Sequence, residues 1–134
     1  MNVKQHLKGV KIMTSTVVPE VLKGRSNELP TIKFNKEFLG PILSGNKVST
    51  TRRRPLPFRI DGVVRAIFPG ETMTLQIVIA DMITKKFKEL NKHDAWLEGY
   101  NNIDDLKDTL KKIYPNLRPM DKVYIYRFAL VGEY

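Results

Sequence analysis

The sequence predicts an α+β fold: a mostly antiparallel sheet or small barrel with helices grouped at one side. Three observations predict it. Apolar side chains alternate with period two over residues 73–83 and again over 122–131. They recur instead at helical spacing at Ile103, Leu106, Leu110 and Ile113. Short turns such as Pro69-Gly70 join the strand candidates, where a parallel sheet would need regular crossover helices. With 134 residues the chain fits one domain, read here as an N-terminal extension over 1–30 and the domain proper over 31–134.

In the extension, residues 10–18 have β-branched character, and Pro19, Gly24 and Pro30 punctuate the stretch after them. Thr31 to Phe34 reads as a short strand. Asn35 is placed to cap a helix whose apolar face is Phe38, Leu39, Ile42 and Leu43. Pro41 would break the middle of a regular helix, so two short turns are expected, the second starting at Pro41. Gly45 stands where a left-handed C-cap is needed. Val48 to Arg52 suits a strand, ended by Pro55 and Pro57, and Val63 to Phe68 suits another. From 73 to 83, Met73, Leu75, Ile77, Ile79 and Ile83 share a face. Val78, Ala80 and Met82 on the other predict burial on both sides of its later half. Residues 88–99 read as a helix stopped by Gly99. Asn102 caps a clearer helix that ends before Pro115, and 122–131 is the last strand.

The net charge of +9 is unevenly spread. Residues 1–30 hold five basic and two acidic side chains, 31–70 hold eight and two, and 71–134 hold ten of each. The excess therefore sits in the first seventy residues. That suggests a face meeting an anion, most often nucleic acid, with a solvated basic surface as the plain alternative. No apolar run approaches the ~18 residues of a membrane span. Met1 to Lys11 lacks the continuous apolar stretch of a secretory signal. Without cysteine there is no disulfide framework, Fe–S cluster or thiolate zinc site, which fits a cytoplasmic protein. His6 and His93 lie far apart with no metal-ligand spacing, and there is no Gly-rich phosphate loop. No metal and no cofactor is expected.

The segment from Gly45 to Arg54 concentrates chemistry. It holds Lys47, Ser49, Thr50, Thr51, Arg52, Arg53 and Arg54. On a strand, Thr50 and Arg52 share one face, and Lys47, Ser49, Thr51 and Arg53 the other. Cations beside hydroxyls suit a phosphate or a developing oxyanion. The plain alternative is a strand edge protected by charge.

Residues 34–52 resemble the opening of an ASCH domain, a branch of the PUA-like β-barrels. The Gly-x-Lys-x-x-Thr-x-Arg pattern is matched at Gly45, Lys47, Thr50 and Arg52. Trp96-Leu97-Glu98-Gly99-Tyr100, the helix after it and the terminal strand come in the family order, so the resemblance covers roughly 31–131. It implies a compact barrel that binds RNA or a nucleoside in a cleft between the motif and the helices. One small branch is an amidohydrolase acting on N4-acetylcytidine through a Lys, a Thr and a Glu, which correspond here to Lys47, Thr50 and Glu98. Another branch is a ribonuclease, so activity does not follow from fold. The extension and the Arg53-Arg54 continuation into Pro55 depart from the small amidohydrolases.

Two routes of hydrolysis are open at this level. Thr50 is the nucleophile with Lys47 as base, or Glu98 activates water while Thr50 positions the acyl group. Substrate or RNA would be held by Arg52, Arg53, Arg54 and Ser49, with Trp96 and Tyr100 flanking Glu98 as stacking candidates, although core packing is the expected fate of Trp96. The alternatives are a non-catalytic RNA-binding module and a metal-independent ribonuclease.

Overall fold

A computed structural model describes residues 29–133. Most of the expected extension, including the strand-like 10–18, lies outside the described residues. Strands are β1 (Thr31–Lys33), β2 (Ser49–Arg52), β3 (Val63–Ile67), β4 (Leu75–Lys86) and β5 (Lys122–Glu133). Helices are α1 (Leu39–Ser44), α2 (Lys92–Leu97) and α3 (Ile103–Ile113), with 3-10 turns at Lys36–Phe38 and Phe87–Glu89. The element order is the one expected.

The strands form one five-stranded sheet in the order β1-β3-β4-β5-β2. β1 pairs parallel with β3, and the other pairings are antiparallel. Among the described residues the sheet is open, with β1 and β2 as its edges. Its register shifts between Gln76 and Ile77 and between Ile79 and Asp81 of β4. Bulges of this kind bend and twist a strand. No helix among the described residues is long and apolar enough to cross a membrane.

β5 is buried on both faces. Tyr126 and Phe128 enter one cluster with Ile32, Phe34, Val64, Ile77 and Ile79. Val123 and Ile125, of opposite parity, enter a second with Phe87, Ala95, Leu106 and Leu110. The second cluster seats α2 and α3 beside the sheet, using the Leu106–Leu110 stripe. The later half of β4 differs from expectation: Val78 is buried, but Met82 is 37% exposed.

Local chemistry explains the helix ends. The 3-10 turn runs directly into α1, which begins at Leu39 and places Pro41 in its first turn. A missing N–H costs nothing there. The Asn35 side chain makes no capping bond. Gly45 takes φ 84°, the left-handed conformation expected of it. Asn91 caps α2 through the Asp94 N–H, and Asp94 returns a bond to the Asn91 N–H. Asn102 caps α3 by accepting from the Asp105 N–H at 2.8 Å. Buried Asp94 also lies 2.6 Å from Lys85 Nζ, pinning α2 to β4.

Candidate functional site

Three backbone devices bring the motif to the end of α2. After the left-handed Gly45, the Asn46 and Lys47 N–H groups both donate to the Pro41 carbonyl, at 2.9 and 3.0 Å. The Val48 N–H donates to the Leu97 carbonyl at 2.8 Å, and the Phe128 N–H to the Val48 carbonyl at 2.9 Å. Gly99 at φ 95° turns the chain out of α2, at a point where a Cβ would come into ordinary contact with Asn46 and Lys47. Glu98, the C-cap of α2, is thereby held against Lys47.

Lys47 Nζ lies 3.1 Å from Glu98 Oε1 and donates to the Glu98 carbonyl at 3.5 Å. Thr51 Oγ1 donates to the other carboxylate oxygen, Glu98 Oε2. Arg52 Nε donates to Thr50 Oγ1 at 3.1 Å, and Arg52 Nη2 to the Lys33 carbonyl at 3.1 Å. Arg52 thus reaches from edge strand β2 to edge strand β1. Lys47 also sits over the Phe38 ring, 4.6 Å from its centre, and Arg52 over Phe34 at 5.4 Å.

Burial pushes the Lys47 ammonium below its ordinary 10.5, and the charge and hydrogen bond of Glu98 push back. Burial likewise lowers the Arg52 guanidinium, against the pull of Tyr114 and Glu98. It raises the Tyr100 phenol, opposed by a hydrogen bond with Thr109.

These groups line a pocket of about 190 Å³. The lining comes from three parts of the chain: Lys33, Phe34, Asn35 and Phe38; Lys47, Thr50, Thr51 and Arg52, joined by Glu98 and Tyr100; and Leu106, Thr109, Leu110, Ile113 and Tyr114, on α3 and at its end. It is smaller than the roughly 300–1,000 Å³ of pockets for drug-sized ligands, so it suits one planar group or an acyl unit.

Of the residues singled out in the sequence, Lys47, Thr50, Arg52, Glu98 and Tyr100 meet at this pocket. Ser49 does not: it is buried on β2, outside the lining. Arg53 leaves the strand to pair with Asp121 at 3.2 Å. Its guanidinium and the Arg118 N–H hold the Asp121 carboxyl below its ordinary range, the N–H contributing most. Arg54 is exposed. Trp96 is 65% exposed rather than packed in the core, and stacks with His93 at 6.2 Å. The outward face of the short helix α2 carries both rings, while Asp94 and Ala95 take its inner face. Thr51 is also a pocket residue: alternation puts it on the face of Lys47 and opposite Thr50, and the pocket takes side chains from both faces. On a four-residue edge strand flanked by the end of α2, both threonines reach the pocket.

The fold is that of ASCH-domain structures. The chain aligns with the ASCH domain from Lactobacillus crispatus over 92% of its own length and 91% of that chain, at 12% identity and TM-score 0.67. A protein of Enterococcus faecalis, of the DUF984 family, aligns over 90% and 94%, at 14% identity and TM-score 0.60. The ASCH protein from Zymomonas mobilis aligns over 73% and 64%, at 15% identity and TM-score 0.54. No family model matches the sequence, and no curated protein matches it.

Proposed function

We propose that the chain is an ASCH-domain protein that takes RNA or a modified nucleoside into a basic cleft and hydrolyses the N-acyl group of N4-acetylcytidine. The observation that carries this reading is the convergence of Lys47, Thr50 and Glu98 on one pocket, with Lys47 and Glu98 paired at 3.1 Å. Lys33, Lys47 and Arg52 against the single carboxylate Glu98 support a basic cleft. The Arg52 bridge between β2 and β1 supports reading the open sheet as a PUA-like barrel closed by a side chain. Residues 1–30 are then an extension beside a domain that spans 31–134.

The hydrogen bonds favour water as the nucleophile. Thr50 Oγ1 is held by Arg52, and the Lys47 ammonium by Glu98, so Lys47 is not poised to take the Thr50 proton. Glu98 takes a proton from water as the water oxygen attacks the acyl carbon. The Thr50 hydroxyl, backed by the Arg52 guanidinium, donates to the carbonyl oxygen as it gains charge. The C–N bond then breaks, and the amine nitrogen leaves with a proton from Lys47, whose burial weakens its hold. The proton on Glu98 passes to Lys47 and resets the pair. Cytidine and acetic acid are released, and the acid loses its proton to solvent as acetate.

Incubation with N4-acetylcytidine should release cytidine, and Lys47→Ala should abolish release. Absence of turnover by the native chain, or full turnover by Lys47→Ala, would sink the proposal. A second reading, RNA binding without catalysis, is favoured by the exposed Trp96–His93 stack and by Arg54 in solvent. It predicts affinity that falls steeply with salt and survives Thr50→Ala.

A further inference from the structure

Thr50 and Thr51 are neighbours in the chain, line the same pocket and have opposite hydrogen-bonding commitments. A hydroxyl has one proton to donate and two lone pairs to accept with. Thr51 Oγ1 donates its one hydrogen bond to Glu98 Oε2. Glu98 is the acceptor in both of its side-chain bonds, from the Lys47 ammonium on one oxygen and from Thr51 on the other. Toward a ligand, Thr51 Oγ1 can therefore only accept. Thr50 Oγ1 already accepts from Arg52 Nε, and its own proton is free to be donated. Both side chains are buried, at 6% and 5% exposure, and β-branching stiffens them further.

We infer that Thr51 is a specificity-determining residue: Thr50 and Thr51 form a donor–acceptor pair that reads the edge of a secondary amide, Thr50 donating to its carbonyl oxygen and Thr51 accepting from its N–H. The inference deepens the proposed reading and rests on it for the nucleoside. The pocket accordingly prefers a ligand with an amide N–H over a tertiary amide of the same outline, which leaves the Thr51 acceptor buried and unpaired.

The test uses the full chain and two ligand pairs. The first is N4-acetylcytidine against N4-acetyl-N4-methylcytidine, by kcat/KM where the nucleoside is hydrolysed and by calorimetry where it is only bound. The second is N-methylacetamide against N,N-dimethylacetamide, by shifts of the backbone amide signals of Thr51 and Tyr100. The native chain should favour the N–H ligand of the first pair by about tenfold, the scale of one unpaired buried acceptor. Thr51→Val keeps the shape of the side chain and removes the acceptor. It should bring the ratio near one in both pairs, so bulk from the added methyl group is controlled. Thr51→Ser should restore the preference, which separates hydrogen bonding from a general disturbance of the site. A ratio unchanged in Thr51→Val, or no preference in the native chain, overturns the inference. If the nucleosides fail to bind but the small amides show the Thr51-dependent preference, the nucleoside reading falls and the amide-reading pair stands. If neither pair moves the pocket signals, both fall.

Discussion

The Lys47 ammonium and the Glu98 carboxylate stand 3.1 Å apart with 3% and 5% of their surfaces exposed. Two charges so deeply buried depend on each other, because each has lost its hydration. Removing one partner leaves the other uncompensated. Lys47→Met should therefore cost about 3–5 kcal/mol in urea unfolding. Adding Glu98→Gln should recover most of it, since the amide removes the orphan charge and still accepts from Thr51. If the double variant is as unstable as the single one, the pair is not coupled as its geometry implies.

The same burial gives Lys47 a pH signature. Its pKa in the folded chain lies below the ordinary 10.5, with desolvation as the leading cause. Between those two values the unfolded chain binds the proton and the folded chain does not. Stability supplied through this group therefore rises with pH across that window and levels off above 10.5. Tyr100 acts the other way. Its folded pKa is raised above 10.0, so its contribution falls as pH climbs past that value. In Tyr100→Phe, unfolding free energy should climb as pH rises toward 10.5, and Lys47→Met in that background should flatten the climb. An unchanged slope would refute the assignment.

How much of this is legible in the sequence depends on the range of the forces involved. Gly45, Asn91 and Asn102 act within a turn of their own helices, and the left-handed cap and the Asn102 cap can be read locally. Lys47 and Glu98 are marked by the motif resemblance, and burial in one pocket brings them together across 51 positions. Alternation puts Thr51 and Thr50 on opposite faces and cannot show that both line one pocket, because that rule assumes a strand with one wet and one dry face. β2 is an edge whose flank is covered by the end of α2. Trp96 escapes the core expected for it because six residues of helix leave only a narrow inner face, already filled by Asp94 and Ala95.

Arg52 joins the two edges of the sheet with bonds that need its forked geometry. Nε holds Thr50 on β2, and Nη2 holds the Lys33 carbonyl on β1. A lysine brings one charged nitrogen and cannot span both. Arg52→Lys should cost about 1.5–3 kcal/mol, the range for hydrogen bonds to charged groups. It should also speed amide exchange at Phe34, whose N–H donates to the Ile67 carbonyl at 3.0 Å where β1 leaves the sheet. Exchange that rises uniformly over the chain would point to global unfolding and not to release of this edge.

Arg53 and Arg54 are adjacent but differ in their availability to an anion. Arg53 is engaged by Asp121 at 3.2 Å, and Arg54 is exposed. If RNA binds along this rim, Arg54→Gln should reduce the slope of log affinity against log salt by about one contact, roughly 0.7 for a single strand. Arg53→Gln should reduce it less, because its charge is already partly neutralised. Equal reductions would show that the Asp121 pair opens when RNA arrives.

Trp96 separates the two functional readings through its own fluorescence, since it is the only tryptophan in the chain. At 65% exposure its emission should lie at the red, solvent-exposed end. A nucleoside confined to the pocket leaves it unchanged, because Trp96 is outside the lining. A single strand that stacks a base on the Trp96–His93 platform quenches it, and Trp96→Ala then weakens that strand by about 1–3 kcal/mol. The substitution should move folding stability by no more than about 0.5 kcal/mol, because the side chain is largely in solvent. Quenching by single-stranded RNA that persists when the pocket is saturated with N4-acetylcytidine would place RNA and nucleoside on separate surfaces. Loss of quenching on saturation would mean that a single strand enters the pocket and reaches Trp96 at once.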